Sequence, residues 1–202
     1  MDLRTVEARI LNEEPTGDVR SAALNTVNKD YTEGALDYTQ MVQYIQSEHS
    51  PIRRIRIEIV CEPMNQFTSV HFRTHGTFQE HFVSTGRSDR TQKERSITDI
   101  KRHIIDTNPM ALIDMMRSRL CKGKVSKDTY EWAVLIKEHL METPMDTQKG
   151  CWLNVIGKML VPNCVYRCGC PESRPCGLYS QAEAVDPVIL RRAISYNNFM
   201  EV

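Results

Sequence analysis

The residues with the clearest chemical potential are cysteines near the C-terminal end of the chain. Four of the seven cysteines fall within thirteen residues, inside a Pro- and Gly-containing segment spanning 162–177. Short turns of this kind let several sulfur atoms converge, and four thiolates about 2.3 Å from the metal satisfy tetrahedral Zn²⁺, while cluster irons also take thiolate ligands. The C-x5-C-x5-C spacing differs from a standard zinc-finger knuckle, so reduced, unliganded cysteines are the alternative. The four residues are Cys164, Cys168, Cys170 and Cys176.

A second candidate is a polar stretch over residues 71–95, rich in histidine and arginine. It also holds Ser84, Thr85 and Gly86. Guanidinium groups with small hydroxyls and a glycine suit phosphate oxygens, because arginine offers two parallel donors and glycine lets backbone N–H groups approach. A solvated loop carrying ordinary charges is the alternative interpretation. With few apolar residues, this stretch is not expected to form core.

A third candidate is an arginine within an otherwise apolar helical stripe. Asn108-Pro109 begins a predicted helix, since asparagine is a good N-cap and proline suits the first helical position. Leu112, Met115 and Arg119 then fall on one face of it. We expect Arg119 to lie at the helix edge and turn its charge into a site, although a long side chain that only extends to solvent is the alternative.

These candidates require a mixed scaffold to position them. Residues 54–59 alternate isoleucine with charge, which predicts a half-solvated antiparallel strand. Helical spacing elsewhere is predicted over five ranges. They are 19–29, 34–47, 66–72, 127–141 and 187–196. We therefore predict an α/β (α+β) fold with a curved, mostly antiparallel sheet flanked by helices, as a single domain over residues 1–202.

Composition narrows the function classes. The 202 residues include 41% hydrophobic residues, and 26 Lys and Arg balance 26 Asp and Glu. Zero net charge removes any chain-wide attraction to nucleic acid polymers or anionic lipid. No stretch approaches the roughly 18 apolar residues of a membrane span. We expect a cytoplasmic protein, and cysteines clustered in a chain without a signal peptide favour a metal or redox site over disulfides.

The order and spacing of these motifs resemble the flavin-dependent thymidylate synthases, often called ThyX. Ser47-Glu48-His49 precedes the predicted strand, as a Leu-Glu-His element does in that family. Arg73-Thr74-His75 followed by residues 80–87 occupies the place of the family signature RHRxxSxNExSxRY. Asn108, Arg119 and Cys121 reproduce the spacing of the next helix, with Asn and Arg eleven residues apart.

The C-terminal cysteines extend this resemblance. Pro162-Asn163-Cys164, Cys170-Pro171-Glu172 and Cys176-Gly177 are similar to a pattern found in some members. The signature itself departs from the family, because Thr74 separates the Arg-His pair and Ser88 stands where tyrosine is usual. The chain in this respect resembles divergent phage-encoded members, which would place it in a host cytoplasm.

The resemblance implies a homotetramer that binds FAD and dUMP at shared interfaces. It also implies methylation of dUMP to dTMP, with methylenetetrahydrofolate as carbon donor and NADPH as reductant. The uracil edge would meet Arg119, whose charge would stabilise the developing anion, while Ser84 and Arg87 would hold the nucleotide phosphate. The residues implied in binding the flavin are His49, Arg73, His75, Glu80, His81 and Asn108.

Two further interpretations stay open. A relative that transfers another one-carbon unit, such as hydroxymethyl, to a pyrimidine nucleotide would need most of the same residues. A catalytically silent nucleotide- or metal-binding protein could use the same scaffold.

For the metal we predict zinc, with a [4Fe–4S] cluster as the alternative and Cys168 competing for one position. The predicted ligands are Cys121, Cys164, Cys170 and Cys176.

Overall fold

The computed structural model describes residues 4–30, 34–74, 79–84, 89, 100–167, 169–177 and 179. Its centre is a four-stranded antiparallel sheet with the strand order β1-β2-β4-β3. The strands are β1 (Thr5–Ile10), β2 (Ile57–Asn65), β3 (Glu80–Val83) and β4 (Ile100–Thr107). Helices flank this sheet, so the predicted mixed fold with an antiparallel sheet is confirmed.

The alternation in the sequence explains the central strand. Ile57, Ile59 and Cys61 of β2 are fully buried on one face, while Glu62 is exposed on the other. The predicted strand began too early, because residues 50–54 form a 3-10 helix with Pro51 near its start. Strands β1, β3 and β4 were not predicted, since each carries polar residues on its outer face and lacks the regular run of isoleucines.

Helices supply the remaining layer. They are α1 (Pro15–Thr26), α2 (Tyr38–Gln46), α3 (Gln66–Arg73), α4 (Pro109–Arg119), α5 (Lys127–Glu142), α6 (Gln148–Met159) and the short α7 (Asn163–Tyr166). Three predicted ranges match closely, at α3, α4 and α5. Helix α1 begins four residues before the predicted 19–29 range and ends three residues before its end, α2 is shorter than the predicted 34–47 range, and α6 was not predicted. Each of α4, α5 and α6 begins at a capping side chain, provided by Asn108, Ser126 and Thr147.

The core lies between the sheet and these helices. Trp132 of α5 and Trp152 of α6 are almost fully buried there. The two helices pack closely at Gly157, where an added Cβ would lie 2.7 Å from the backbone nitrogen of Met141. Within the described part of the chain, no helix is long and apolar enough to cross a bilayer.

Both ends of α4 lie next to residues that could form a functional site. The helix begins directly after β4, at Asn108, and edge strand β3 pairs with β4 so that Glu80 lies opposite Asp106. The two ends of α4 then meet different surroundings. The N-terminal end faces polar residues of β3 and β4, and the chain beyond the C-terminal end approaches the cysteine segment.

Candidate functional site

A polar cleft of about 580 Å³ opens at the N-terminal end of α4. A volume of this size lies within the range of small-molecule sites. The 3-10 helix, the chain around β3 and the end of β4 supply its walls. The lining residues are Arg53, Arg56, Gln79, Glu80, Asp106, Thr107 and Asn108.

An ion-paired cluster forms one side of this cleft. The Arg56 guanidinium donates to the Asp106 carboxylate, and Glu80 lies directly across the β3–β4 ladder from Asp106. Two carboxylates facing each other repel, and Arg56 offsets that repulsion. The hydrogen bond and charge of Asp106, with a smaller contribution from Glu80, raise the pKa of Arg56. Arg56 is therefore held by protein carboxylates.

The other side of the cleft presents amides, a cation and a helix end. The Asn108 side chain accepts a hydrogen bond from the Ala111 backbone nitrogen at 3.1 Å, and Gln79 Nε2 donates to the Ala111 carbonyl at 2.8 Å. Gln79 Oε1 is buried without a hydrogen-bond partner among the described residues. The Arg53 side chain is exposed and lies against Met110. A helix N-terminus next to a cation favours an anionic ligand.

A buried histidine pair lies on the opposite face of β3. His81 Nδ1 and His103 Nε2 are 2.9 Å apart, and His103 Nδ1 lies 3.3 Å from the Met64 sulfur. Because the thioether only accepts, we assign the His103 proton to Nδ1 and the shared proton to His81 Nδ1. His81 Nε2 is then unprotonated, buried and without a donor in the described part of the chain.

Burial keeps both histidines neutral. It lowers the pKa of His81 to about 4, with a further contribution from the positive charge of Arg73. Burial lowers the pKa of His103 to about 3, and the charges of His81 and Arg73 act in the same direction. Arg73 itself is exposed at the end of α3. This pair can accept a hydrogen bond at His81 Nε2 but resists taking up a proton.

Arg119 occupies a different environment from the predicted one. Its side chain is only 4% exposed, and its guanidinium donates to the His71 carbonyl and, at 3.2 Å, to the Thr74 hydroxyl. The expectation of a side chain at the helix edge is wrong, because the last turn of α4 packs against the C-terminal end of α3. Burial lowers the pKa of Arg119. The residue thus binds one carbonyl group in the last turn of α3, as cations often do at helix ends.

A second buried arginine was not singled out from the sequence. The Arg117 guanidinium pairs with the Glu48 carboxylate and stacks 3.4 Å from the centroid of the Tyr166 ring. This contact joins α4 to the chain after α2 and to α7. The neighbouring His49 is exposed and packs its ring edge-on against Tyr44, with centroids 5.2 Å apart. His49 does not line the polar cleft.

The cysteines meet beyond the C-terminal end of α4. A cavity of about 170 Å³ is lined by Cys121, Cys164, Cys170 and Cys176, the four predicted ligands. Cys121 and Cys164 are buried, and Cys176 is exposed. Nevertheless, no three His, Cys, Asp or Glu side chains of the described residues are arranged to hold a single metal ion.

The predicted site residues thus divide between several places. Glu80 and Asn108 share the polar cleft, whereas Arg73 and His81 belong with the buried histidine pair. Ser84 is exposed at the end of β3, where its backbone nitrogen donates to the Arg102 carbonyl at 3.3 Å. Three predicted residues and the predicted helix over 187–196 lie outside the described residues. The three are His75, Arg87 and Cys168.

Sequence reasoning missed six polar residues at these sites. Arg53, Arg56, Gln79, Asp106 and Thr107 line the cleft, and His103 completes the histidine pair. The basic run before β2 was a usable signal, since charges at a strand end often border a site. For Asp106 and His103 no local signal was available, because β4 itself was not predicted.

No protein-family model and no curated protein sequence matches the chain. Among solved structures, the fold is similar to that of a UMP/dUMP methylase, PolB from Streptomyces cacaoi, in a crystal structure with bound 5-Br dUMP. The similarity has a TM-score of 0.51 and 9% sequence identity, and it covers 75% of this chain and 94% of the other. At that identity the likeness concerns the fold, which is one that a pyrimidine-nucleotide methylase uses.

Proposed function

We propose that this protein binds a pyrimidine nucleoside monophosphate in the polar cleft and methylates its base. The observation that supports the proposal most is the cleft itself, because it combines cations, free amide groups and a helix N-terminus beside an edge strand. The similarity in fold to a UMP/dUMP methylase supports the same class of ligand.

The phosphate end of such a ligand would bind near Arg53. The Arg53 side chain is exposed and lines the cleft, with its Nε donating to the Met110 sulfur at 3.2 Å. The first turn of α4 adds the positive end of the helix dipole, which favours an anion there. Glu80 and Asp106 would repel a phosphate, so they favour a pose in which the phosphate lies toward Arg53.

The base would be recognised by amides. Uracil presents an N–H donor between two carbonyl acceptors, and the buried Gln79 Oε1 is an acceptor without a partner in the described structure. Because Asn108 uses its oxygen as the N-cap, its Nδ2 group is left to donate to a uracil carbonyl. The pair would therefore favour uracil over cytosine, which has no ring N–H at that position.

The complete reaction that we propose is methylation of dUMP to dTMP with FAD, NADPH and methylenetetrahydrofolate. Flavin, when bound, supplies the hydride chemistry that side chains lack. Of the implied flavin-binding residues that the structure describes, Glu80 and Asn108 line the cleft, whereas Arg73, His81 and His49 lie elsewhere. These described residues of one chain thus supply part of a flavin site. A homotetramer, in which a second copy completes the site, is consistent with this division.

Calorimetric titration of the full chain with dUMP and UMP tests the nucleotide site, with dCMP as a base control. We expect uridine nucleotides to bind and the Arg53→Gln variant to lose at least about tenfold in affinity, since a charge-assisted contact is removed. Arg54→Gln is the matched control, because Arg54 is equally exposed on the same segment but pairs with Asp18 outside the cleft. Equal losses in both variants, or no binding of any uridine nucleotide, contradict the proposed site.

Mass spectrometry of dUMP incubated with protein, FAD, NADPH and methylenetetrahydrofolate tests the chemistry. A dTMP product supports methylation, whereas a product with one additional oxygen indicates hydroxymethyl transfer instead. Nucleotide binding with neither product would indicate the silent, nucleotide-binding alternative. Light scattering tests the shared site, and a solution mass near the 23.3 kDa of one chain contradicts it.

A further inference from the structure

The cavity at the C-terminal end of α4 brings together thiols from distant parts of the chain. Cys121 follows α4 directly, Cys164 belongs to α7, and Cys170 and Cys176 come from the segment after it. All four are free thiols in the structure. Four cysteines lining one cavity, separated by up to 55 positions in the sequence, form a soft-ligand set rather than a chance neighbour pair.

The size of the cavity discriminates between metal centres. In a tetrahedral zinc site with bonds of about 2.3 Å, neighbouring sulfurs lie only about 3.8 Å apart. The cysteines have no such arrangement, since no three ligand side chains among the described residues are placed for one ion. The cavity of about 170 Å³ is more than ten times the roughly 10–15 Å³ that one water needs. A single zinc ion would leave most of it unfilled, whereas a cluster of irons and sulfides spans a wider ring of thiolates.

The surroundings also suit a cluster. Apart from the thiols and Glu172, the lining consists of Gly123, Gly177, two prolines and Tyr179. Glu172 is engaged by Lys124 at 2.9 Å, which ties the turn after Cys121 to the cysteine segment. The Gly169 backbone nitrogen donates to the Cys164 carbonyl at 2.8 Å and orders the chain between two of the ligands. Cys170-Pro171 matches the Cys-Pro step common at cluster ligands.

We propose that Cys121, Cys164, Cys170 and Cys176 bind a [4Fe–4S] cluster in this cavity, which clamps the C-terminal end of α4 to the cysteine segment. This centre is independent of nucleotide binding in the polar cleft at the other end of the helix. Its presence or absence therefore leaves the proposed function untouched.

Metal and sulfide analysis of the full chain, purified without oxygen, tests the cluster. We expect about four irons and four sulfides per chain, with broad visible absorption that bleaches on reduction by dithionite. One zinc per chain without iron overturns the proposal. So does a metal-free protein in which Cys170 and Cys176 react freely with an alkylating reagent.

Substitutions identify the ligands. Cys121→Ser and Cys164→Ser should lose the iron and the visible absorption. Cys151→Ser is the matched control, because Cys151 lies outside the cavity with its thiol 3.3 Å from the Met145 carbonyl. Cys168→Ser should also retain the cluster. If Cys168→Ser loses iron while Cys121→Ser keeps it, the proposed ligand set is wrong. If a variant fails to fold, alkylation of the wild-type chain provides the answer, because the half-buried Cys170 and the exposed Cys176 should be protected only when they bind the cluster.

Discussion

The two ends of α4 face chemically opposite surroundings. At the N-terminal end, an open cleft of about 580 Å³ holds arginines, carboxylates and amides. Beyond the C-terminal end, a cavity of about 170 Å³ is lined by thiols, prolines and glycines. The helix itself is ordinary, with Asn108 as its N-cap and a largely buried apolar stripe.

This contrast shows how one element serves two sites. The positive end of the helix dipole favours an anion at the cleft, while the negative end is compensated by the buried arginines of the last turn. Arg117 and Arg119 pair with Glu48 and with the end of α3, so neither charge reaches the thiol cavity as an exposed cation. The cleft is therefore suited to a polar ligand in contact with solvent, and the cavity to a group shielded from it.

The largest expected effect is a loss of stability on replacing Arg119. It tests whether this residue, at the C-terminal end of α4, has a structural role. Arg119→Ala should lower the free energy of unfolding by roughly 2–3 kcal/mol, because it removes a buried guanidinium with its hydrogen bonds to the His71 carbonyl and the Thr74 hydroxyl. Asp114→Ala is the control on the same helix, since its side chain is largely exposed and should change stability by no more than about 0.5 kcal/mol. Urea unfolding measures both, and equal, small effects would show that α3 does not hold Arg119 and would leave its charge available to a site, as the sequence predicts.

A second prediction concerns the histidine pair on the sheet, which lies apart from both ends of α4. This pair should make the stability of the fold depend on pH. His81 and His103 have a pKa of about 4 and about 3 in the folded chain, against about 6.5 when unfolded. The neutral forms therefore stabilise the fold fully above pH 6.5, and this contribution is lost as the pH falls from there toward 4. The slope is at most about 1.4 kcal/mol per pH unit for each histidine.

Urea unfolding at several values between pH 7.5 and about 4.5 checks this window. His103→Gln should flatten the dependence, whereas His49→Gln, at an exposed histidine away from the pair, should leave it unchanged. An identical pH profile in wild type and His103→Gln would show that other groups carry the dependence.

The smallest effect concerns the N-terminal end of α4. Asn108→Ala should cost about 1 kcal/mol of stability through the lost N-cap. Asn108→Asp retains a capping oxygen and adds a favourable charge for the helix, yet it places a further carboxylate beside the cleft. We expect near wild-type stability but weaker dUMP binding in Asn108→Asp. Thermal unfolding and calorimetry together test this, and unchanged affinity would exclude Asn108 from the ligand site.

Local patterns in the sequence determined much of the scaffold. An N-cap, proline and apolar stripe were enough to predict α4, and helical spacing was enough for α3 and α5, because these signals depend on neighbours within a few positions. The same holds for the buried face of β2, whose isoleucines alternate with charges. The sequence alone also shows the cluster of cysteines near the C-terminus, and this cluster predicts a site for a metal that prefers thiolate ligands.

Only the tertiary structure decided which of these residues meet. His81 pairs with His103, and the cleft joins Arg53 to Asn108. Contacts of this kind depend on strand order and helix packing. Both are set by β1, β3, β4 and α6, whose sequences have no strong local pattern. The burial of Arg119 follows for the same reason. A helical repeat predicts that the side chain lies on the apolar stripe, but the partner that covers it, the end of α3, is 45–48 positions away in the sequence.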